Sequence, residues 1–329
     1  MRITVERPMR VVFMGTPEFA VPSLRALVEH APPARLWANG LDIVGVITRP
    51  DKPAGRGRQT IASPVKRFAT ERGIPVYQPG PLRRPEALKQ IRSLDPGVIV
   101  VAAFGQILPT DVLDLPPHSC LNVHASLLPR WRGASPIAAA MLAGDTETGV
   151  TIMQMEEGLD TGPIIAQRST PIGATETAGA LTERLAEIGA QLLVETLPYW
   201  LAGGASSREQ DEALATMTRP LKKDDGRLDW TRTASELARQ IRAYSPWPGA
   251  FTTWKGARVR VLAAHALPGT GSGAPGTAQR SGDSLASLAV RCGQEALALD
   301  VIQLEGKRAL PVADVLRGHP ALATAVFGT

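Results

Sequence analysis

Short apolar runs alternate with longer stretches in which apolar residues recur every three or four positions, and this pattern predicts the elements of the chain. Met9–Gly15 is a near-continuous apolar run closed by glycine, as expected of a buried strand, and Pro17 opens a helix that reaches Leu27 or Val28. Leu41–Ile47 reads as a second strand, Ile74–Tyr77 as a short third and Gly97–Ala103 as a fourth. Between the last two, Leu88, Ile91 and Leu94 share one side of a helix over 85–94. Ser119–His124 is a further strand, followed by a helix over 136–143, strands at Gly149–Met155 and Pro163–Arg168, and a helix from about Thr177 to Leu201. Apolar strands alternating with helices predict a Rossmann-like, doubly wound α/β domain with a mainly parallel sheet.

That domain is expected over residues 1–203. From Gly203 to Asp225 the chain turns polar and loses periodicity, so 204–225 reads as a linker. A helix over Ala234–Tyr244 then opens a second domain, 226–329. Its short β-type runs at Phe251–Trp254, Arg258–Ala263, Leu288–Arg291, Ala296–Leu304 and Arg308–Leu310 are split by a Gly/Pro/Ser-rich loop, Pro268–Gly276. A small OB-like β-barrel fits them.

Composition narrows the class. A chain of 329 residues with 44% hydrophobic content supports two cored domains. No apolar run is long enough for a membrane span and the N-terminus lacks a secretory apolar region, so a cytoplasmic location is expected. Cys120 and Cys292 have no metal-ligand spacing and read as buried, reduced thiols. Charge is unevenly placed. Residues 226–329 carry 12 Lys or Arg against 7 Asp or Glu, whereas the preceding 225 residues balance at 24 each. Within that neutral part, Arg49, Lys52, Arg56, Arg58, Lys66 and Arg67 crowd around Asp51 alone. A basic loop and a basic second domain suit a polyanion, although solvated surface charge is the duller reading.

Candidate chemistry gathers after the strand 119–124. Asn122 and His124 stand two apart, so they share a face while Val123 points to the core. The run Ser126-Leu-Leu-Pro129-Arg-Trp-Arg-Gly133 leaves the carboxyl end of that strand, where open α/β sheets bind ligands, and Gly158-Leu-Asp160-Thr-Gly162 supplies a carboxylate. Amide, imidazole and carboxylate are groups that acyl transfer uses. By spacing alone, however, a strand-borne Asn-x-His is more often a structural pair, and an Asp between glycines a turn former. The turn at Gly15-Thr-Pro17 lacks the glycines of a dinucleotide site. His30, His118, His265 and His319 have no metal-ligand spacing, and no metal is expected.

Taken together, several segments resemble the methionyl-tRNA formyltransferase family of the formyltetrahydrofolate-using superfamily. They are Gly15-Thr-Pro-Glu-Phe-Ala20, Arg49-Pro-Asp-Lys-Pro-Ala-Gly-Arg-Gly57, Asn122-Val-His124, Ser126–Gly133 and Gly149-Val-Thr-Ile-Met-Gln-Met155. The likeness runs from about Met9 to Ala202 and continues more weakly through Asp229-Trp230 and Arg242–Gly249. An apparent insertion at Ala31–Gly40, and Ser135 where alanine is commoner, depart from the pattern away from the chemistry. The resemblance implies transfer of the formyl group of 10-formyltetrahydrofolate to the methionyl α-amino group of initiator methionyl-tRNA, in translation initiation. It implies Asn122, His124 and Asp160 as catalytic residues, and Phe104, Gly105, Gln106, Ile107, Ser126, Leu127, Leu128 and Pro129 around the folate. It also implies tRNA contacts by Arg49, Lys52, Arg56 and Arg58, with Arg56 foremost. In the second domain, Arg258, Arg260, Lys307 and Arg308 are expected to touch phosphates. The loop from Arg49 to Arg58, broken by Pro50, Pro53 and Gly55, is expected to be non-helical and mobile until bound.

Duller roles compete for single positions: Leu127 and Leu128 suit core packing, as do Met153 and Met155, which alternate along a strand. Two other functions stay open. A formyltransferase of the same superfamily acting on a small amine, a glycinamide ribonucleotide or an amino sugar, needs neither tRNA nor residues 226–329. A non-enzymatic RNA-binding protein has no reason to keep Asn122, His124 and Asp160 together.

Overall fold

Five parallel strands and an antiparallel pair form the frame on which the candidate residues stand. The structure, a computed structural model, describes residues 8–30, 40–54, 59–269, 273–280 and 288–328. The chain divides into two compact units: one of Met1–Pro136, Glu147–Pro171 and Thr182–Thr218, the other of Ile137–Thr146, Ile172–Leu181 and Arg219–Thr329. Among the described residues no helix is long and apolar enough to cross a membrane. The Ala31–Gly40 insertion falls almost wholly outside the described residues.

The first unit is built on β1 (Met9–Gly15), β2 (Leu41–Ile47), β3 (Val76–Tyr77), β4 (Val98–Ala102), β5 (Cys120–His124), β6 (Glu147–Gln154) and β7 (Ile164–Pro171), in the order β7-β6-β5-β4-β1-β2-β3. β3, β2, β1, β4 and β5 run parallel, and β6 and β7 pair antiparallel to their neighbours. This is the mainly parallel, doubly wound α/β sheet expected from the apolar runs. Its centre is dry: every residue of β4 and β5 is buried. On one face Val12, Met14, Ile99 and Val101 meet Ala87 and Ile91 of the helix Pro85–Ser93. On the other, a Cβ at Gly189 of the helix Ala178–Leu201 would stand 2.8 Å from Val123 Cγ1 and 3.3 Å from Val150 Cγ1. Cover on both faces explains why the central strands carry no alternating polar positions.

In the second unit, β8 (Ala250–Trp254), β9 (Ala257–Leu267), β10 (Ala278–Gln279), β11 (Ala289–Arg291), β12 (Ala296–Leu304) and β13 (Leu310–Pro311) form an antiparallel sheet ordered β8-β9-β12-β11-β10, with β13 on β12. The register of β9 against β12 slips at Val261/Ala263 and again at Ala263/Ala264, which bends this long strand. Val259, Val261, Leu297, Leu299 and Ile302 close over Leu237 and Ile241 of the helix Ala234–Ala243. Thr233 caps that helix, accepting from the Glu236 amide while the Glu236 carboxylate accepts from the Thr233 amide.

Two stability predictions follow from these contacts. A Cβ at Gly149 would lie 2.2 Å from the Arg168 carbonyl oxygen across the β6–β7 ladder, so Gly149→Ala is expected to destabilise by about 1–3 kcal/mol. A urea midpoint equal to wild type would contradict this. In the second unit Asp225 accepts from Arg219 at 2.7 and 2.8 Å and from the Lys222 amide at 2.7 Å. Chiefly through the Arg219 bonds, its carboxyl is pulled down to about 2. A carboxyl depressed in the folded state contributes stability above its unfolded value, and that stability is lost as pH falls toward 2. Asp225→Asn therefore lowers stability at pH 7 by about 1 kcal/mol, given the exposed Arg219, and the deficit closes on acidification below about pH 4. A deficit constant with pH in urea titrations would exclude this cause.

Candidate active site

The pleat of β5 turns Asn122 and His124 to one face, and the β6–β7 connection brings Asp160 against both. The connection is tight: a Cβ at Gly162 would sit 2.1 Å from the Gln154 carbonyl oxygen. Asp160 itself takes a left-handed φ of 55°. Its Oδ1 accepts from Asn122 Nδ2 at 3.2 Å, and its Oδ2 accepts from the Gly133 amide at 2.8 Å while standing 3.5 Å from His124 Nδ1. The other ring nitrogen of His124, Nε2, lies 3.0 Å from the Trp131 carbonyl oxygen. A carbonyl only accepts, so Nε2 carries the hydrogen, and Nδ1 beside the carboxylate is left to take or release a proton. The side chains of His124 and Asp160 are 6% and 13% exposed, which shelters the pair and strengthens its electrostatics relative to water. One Asn122 amide hydrogen is directed to Asp160, leaving the second for an incoming acceptor.

The loop after β5 is fixed from within. Ser126 Oγ donates to the Arg130 carbonyl at 2.6 Å, and Thr151 Oγ1 donates to the Ser126 carbonyl at 2.7 Å. The Leu128 amide donates to Thr151 Oγ1 at 3.1 Å, and Gln167 Nε2 donates to the Leu128 carbonyl at 2.8 Å. Leu128 packs with Met153 and Ile164, so its side chain is core, as is that of Met153. Leu127 and Pro129 are partly exposed. At the end of the neighbouring strand β4, Phe104 is buried and its carbonyl accepts from Thr16 Oγ1 at 3.1 Å. Gly105 follows at φ 79°, Gln106 is partly exposed, and Ile107 is 70% exposed. The carboxyl ends of β1, β4 and β5 thus open on one edge of the sheet, with His124 at the end of β5.

Arg49 reaches the same edge: its amide donates to Thr16 Oγ1 at 3.4 Å, and its side chain lies alongside Gly105. The segment that follows is not simply irregular, because Lys52–Ala54 pairs antiparallel with Gln59–Ile61 as a short hairpin. Asp51 anchors its base, accepting from Lys66 Nζ at 2.5 Å and from Gln78 Nε2 at 2.7 Å. Those bonds hold its carboxyl below the ordinary value. Arg56 and Arg58 lie outside the described residues. In the second unit Arg258 and Arg260 share one face of β9. The Arg258 guanidinium covers Phe251 at 3.7 Å, and Arg260 donates to Gln303 at 3.3 Å. Gln303 in turn donates to the Lys307 carbonyl, and Lys307 and Arg308 are exposed beside it. Glu305 Oε2 accepts from the Arg258 amide, so the patch is basic with one acidic member.

Residues that pattern reading passed over also frame the site. Arg132, only 3% exposed, donates through Nε to Gln210 Oε1 at 3.0 Å and through its two terminal nitrogens to Glu212 at 3.0 and 2.7 Å. The guanidinium keeps the Glu212 carboxyl below its ordinary value. Gln210 Nε2 donates to the Asp160 and Gly162 carbonyls at 2.8 and 2.7 Å, and Thr216 Oγ1 accepts from the Trp131 amide at 2.8 Å. Gln210, Glu212 and Thr216 come from the stretch read as linker, and that stretch as far as Thr218 belongs to the first unit. Nothing in that polar, aperiodic stretch marked them out. Among the described residues no group of three or more His, Cys, Asp or Glu is placed to hold a metal ion.

Residues 9–197 match the model of the formyl transferase family and residues 220–320 that of the formyl transferase C-terminal domain. The methionyl-tRNA formyltransferase of Marinobacter nauticus is 47% identical over 313 residues, 94% of this chain and 96% of that protein. Among solved structures, the sugar 3N-formyl transferase WlaRD shares the fold at a TM-score of 0.64 and 16% identity, over 92% of this chain and all of that one. HypX from Aquifex aeolicus in complex with tetrahydrofolic acid shares it at 0.58 and 18% identity, over 94% of this chain, which spans about half, 47%, of that protein. From the N-terminal α/β sheet to the C-terminal β domain, this chain belongs to the formyl transferase family.

Proposed function

We propose that this chain moves the formyl group of 10-formyltetrahydrofolate to the α-amino group of methionine on initiator methionyl-tRNA, in the cytoplasm, for translation initiation. The observation that carries the reading is the buried cluster of Asn122, His124 and Asp160 at the carboxyl end of β5, in a chain 47% identical over nearly its whole length to a methionyl-tRNA formyltransferase. The folate supplies an activated formyl group. The edge beside His124 suits it, because a pterin needs main-chain donors and acceptors between apolar walls. There Gly105 exposes its backbone, Gln106 and Ile107 reach outward, and Leu127 and Pro129 are partly open, while Phe104, Ser126 and Leu128 support the loops from within.

The chemistry follows from the donors. An α-amino group titrates near neutrality, so the attacking amine needs little activation, and the larger need is to stabilise charge growing on the formyl oxygen. The second Asn122 amide hydrogen is the donor we assign to that oxygen. His124 Nδ1, beside Asp160, takes the proton that leaves the amine and returns it to the folate nitrogen as the bond from that nitrogen to the formyl carbon breaks, and the carboxylate fixes the ring. The acceptor is a polyanion. Arg258, Arg260, Lys307 and Arg308 offer phosphate contacts from the second unit, Arg49 offers one at the edge of the site, and Lys52, Arg56 and Arg58 are the further contacts that the family resemblance suggests.

Two measurements test this reading. His124→Ala and Asn122→Ala are each expected to lower kcat for formyl-methionyl-tRNA by about 10²–10³, with folate binding retained. Product formed at the wild-type rate would remove them from the chemistry. Arg258→Ala with Arg260→Ala is expected to raise KM for the tRNA and flatten its salt dependence by about one unit of slope per lost phosphate contact, with kcat preserved. Brisk formylation of a small amine with no use of charged tRNA would instead favour a small-amine formyltransferase, a reading that the fold shared with a sugar N-formyltransferase keeps in view.

A further inference from the structure

The Asp160 loop is gripped by a side chain from far along the chain. Gln210, 8% exposed, gives both hydrogens of its amide to the carbonyls of Asp160 and Gly162, at 2.8 and 2.7 Å. Its oxygen accepts from Arg132 Nε at 3.0 Å. This orientation has no working alternative: turned over, the amide would set its oxygen against two carbonyls and its NH2 against a guanidinium that has only donors. Arg132 therefore dictates which way Gln210 faces, and Arg132 is itself set by the paired bonds to Glu212, whose side chain is 73% exposed. The chain of bonds runs from solvent to the backbone of Asp160.

The backbone so held is one that resists its conformation. Asp160 at φ 55° and Trp131 at φ 63° both occupy the left-handed region that side chains disfavour, and such residues persist only where the surroundings over-determine them. Asp160 presents its carboxylate to Nδ1 of His124, and Trp131 presents its carbonyl to Nε2. The stretch that sends Gln210 to the first also sends Thr216 Oγ1 to the amide of the second. One segment thus secures the residues on both sides of the imidazole.

We propose that Gln210 is a positioning residue for the His124–Asp160 pair, held in its donating orientation by Arg132 and Glu212. Its kinetic consequence rests on the formyl-transfer reading above; its geometric consequence does not. Gln210→Met keeps the length and removes every donor. It is expected to lower kcat for formyl-methionyl-tRNA about 10- to 100-fold with KM for both substrates within about twofold, because the reacting groups are misplaced rather than lost. In an Asp160→Asn background the same change is expected to cost no further rate, since the two act through one group. The 15N resonances of the His124 ring are expected to move in Gln210→Met without any substrate present. Glu212→Ala, at the solvent end of the chain, is expected to lower kcat about threefold in the same manner.

Rates that multiply fully in the double variant, or a lowered melting temperature with kcat intact in Gln210→Met and Glu212→Ala alike, would overturn the inference. If wild-type protein fails to formylate methionyl-tRNA, the function is misread while the ring resonances still decide the geometry. Unmoved His124 resonances in Gln210→Met would sink the positioning role even in a fully active formyltransferase.

Discussion

A single carboxylate organises the site. Asp160 accepts from the Asn122 amide and the Gly133 backbone and stands beside the His124 ring, so three groups from the strand β5 and the loop after it converge on two oxygens. Each of those donors is itself buried or held by the backbone, and a carboxylate in such surroundings binds more strongly than one in water. Were it absent, Asn122 and Gly133 would lose their acceptor, and His124 would keep only the carbonyl of Trp131 to fix its plane. The left-handed turns at Trp131 and Asp160 make sense in this light, because they aim a carbonyl and a carboxylate at opposite sides of one ring.

The sheet makes that convergence possible. β1, β4 and β5 run parallel, so their carboxyl ends share an edge, and β6 returns antiparallel to deliver Asp160 from the other side of β5. An all-parallel sheet would have sent the next connection across a helix instead. The antiparallel turn keeps Asp160 on a short, stiff link whose Gly162 has no room for a side chain. The same edge receives Thr16, the Phe104–Ile107 loop and Arg49, so the surface proposed for the folate and the base of the Lys52–Ile61 hairpin adjoin the candidate residues.

Strands and the main helices were legible because burial on two faces writes itself as unbroken apolar runs. Met9–Gly15 and Leu41–Ile47 match their strands residue for residue. Shorter elements were less visible. The helix Pro64–Glu71 sits within a run dominated by charge, although Ser63, which accepts from the Lys66 amide at 3.1 Å, and Pro64 were its opening signals. Of the loop from Arg49 to Arg58, residues 55–58 lie outside the described residues, and Lys52–Ala54 pairs as a strand with Gln59–Ile61, because a ladder of a few residues needs no hydrophobic period. In the site, spacing placed Asn122 and His124 on one face of a strand, while their grouping with Asp160 came from the family resemblance. Arg132, Gln210, Glu212 and Thr216 could not be read in this way. They meet through contacts about 80 residues apart in sequence, and a polar stretch bonded to buried partners looks the same in sequence as one bonded to water.

The measurement closest to the central claim is the single-turnover rate of formyl transfer to initiator methionyl-tRNA by Asp160→Asn, which keeps the shape of the side chain and removes its charge. If the carboxylate sets the state and orientation of His124, the rate falls by at least about a hundredfold while both substrates bind as before. A rate within about threefold of wild type would contradict the account, because the group on which the site converges would then have no part in the reaction.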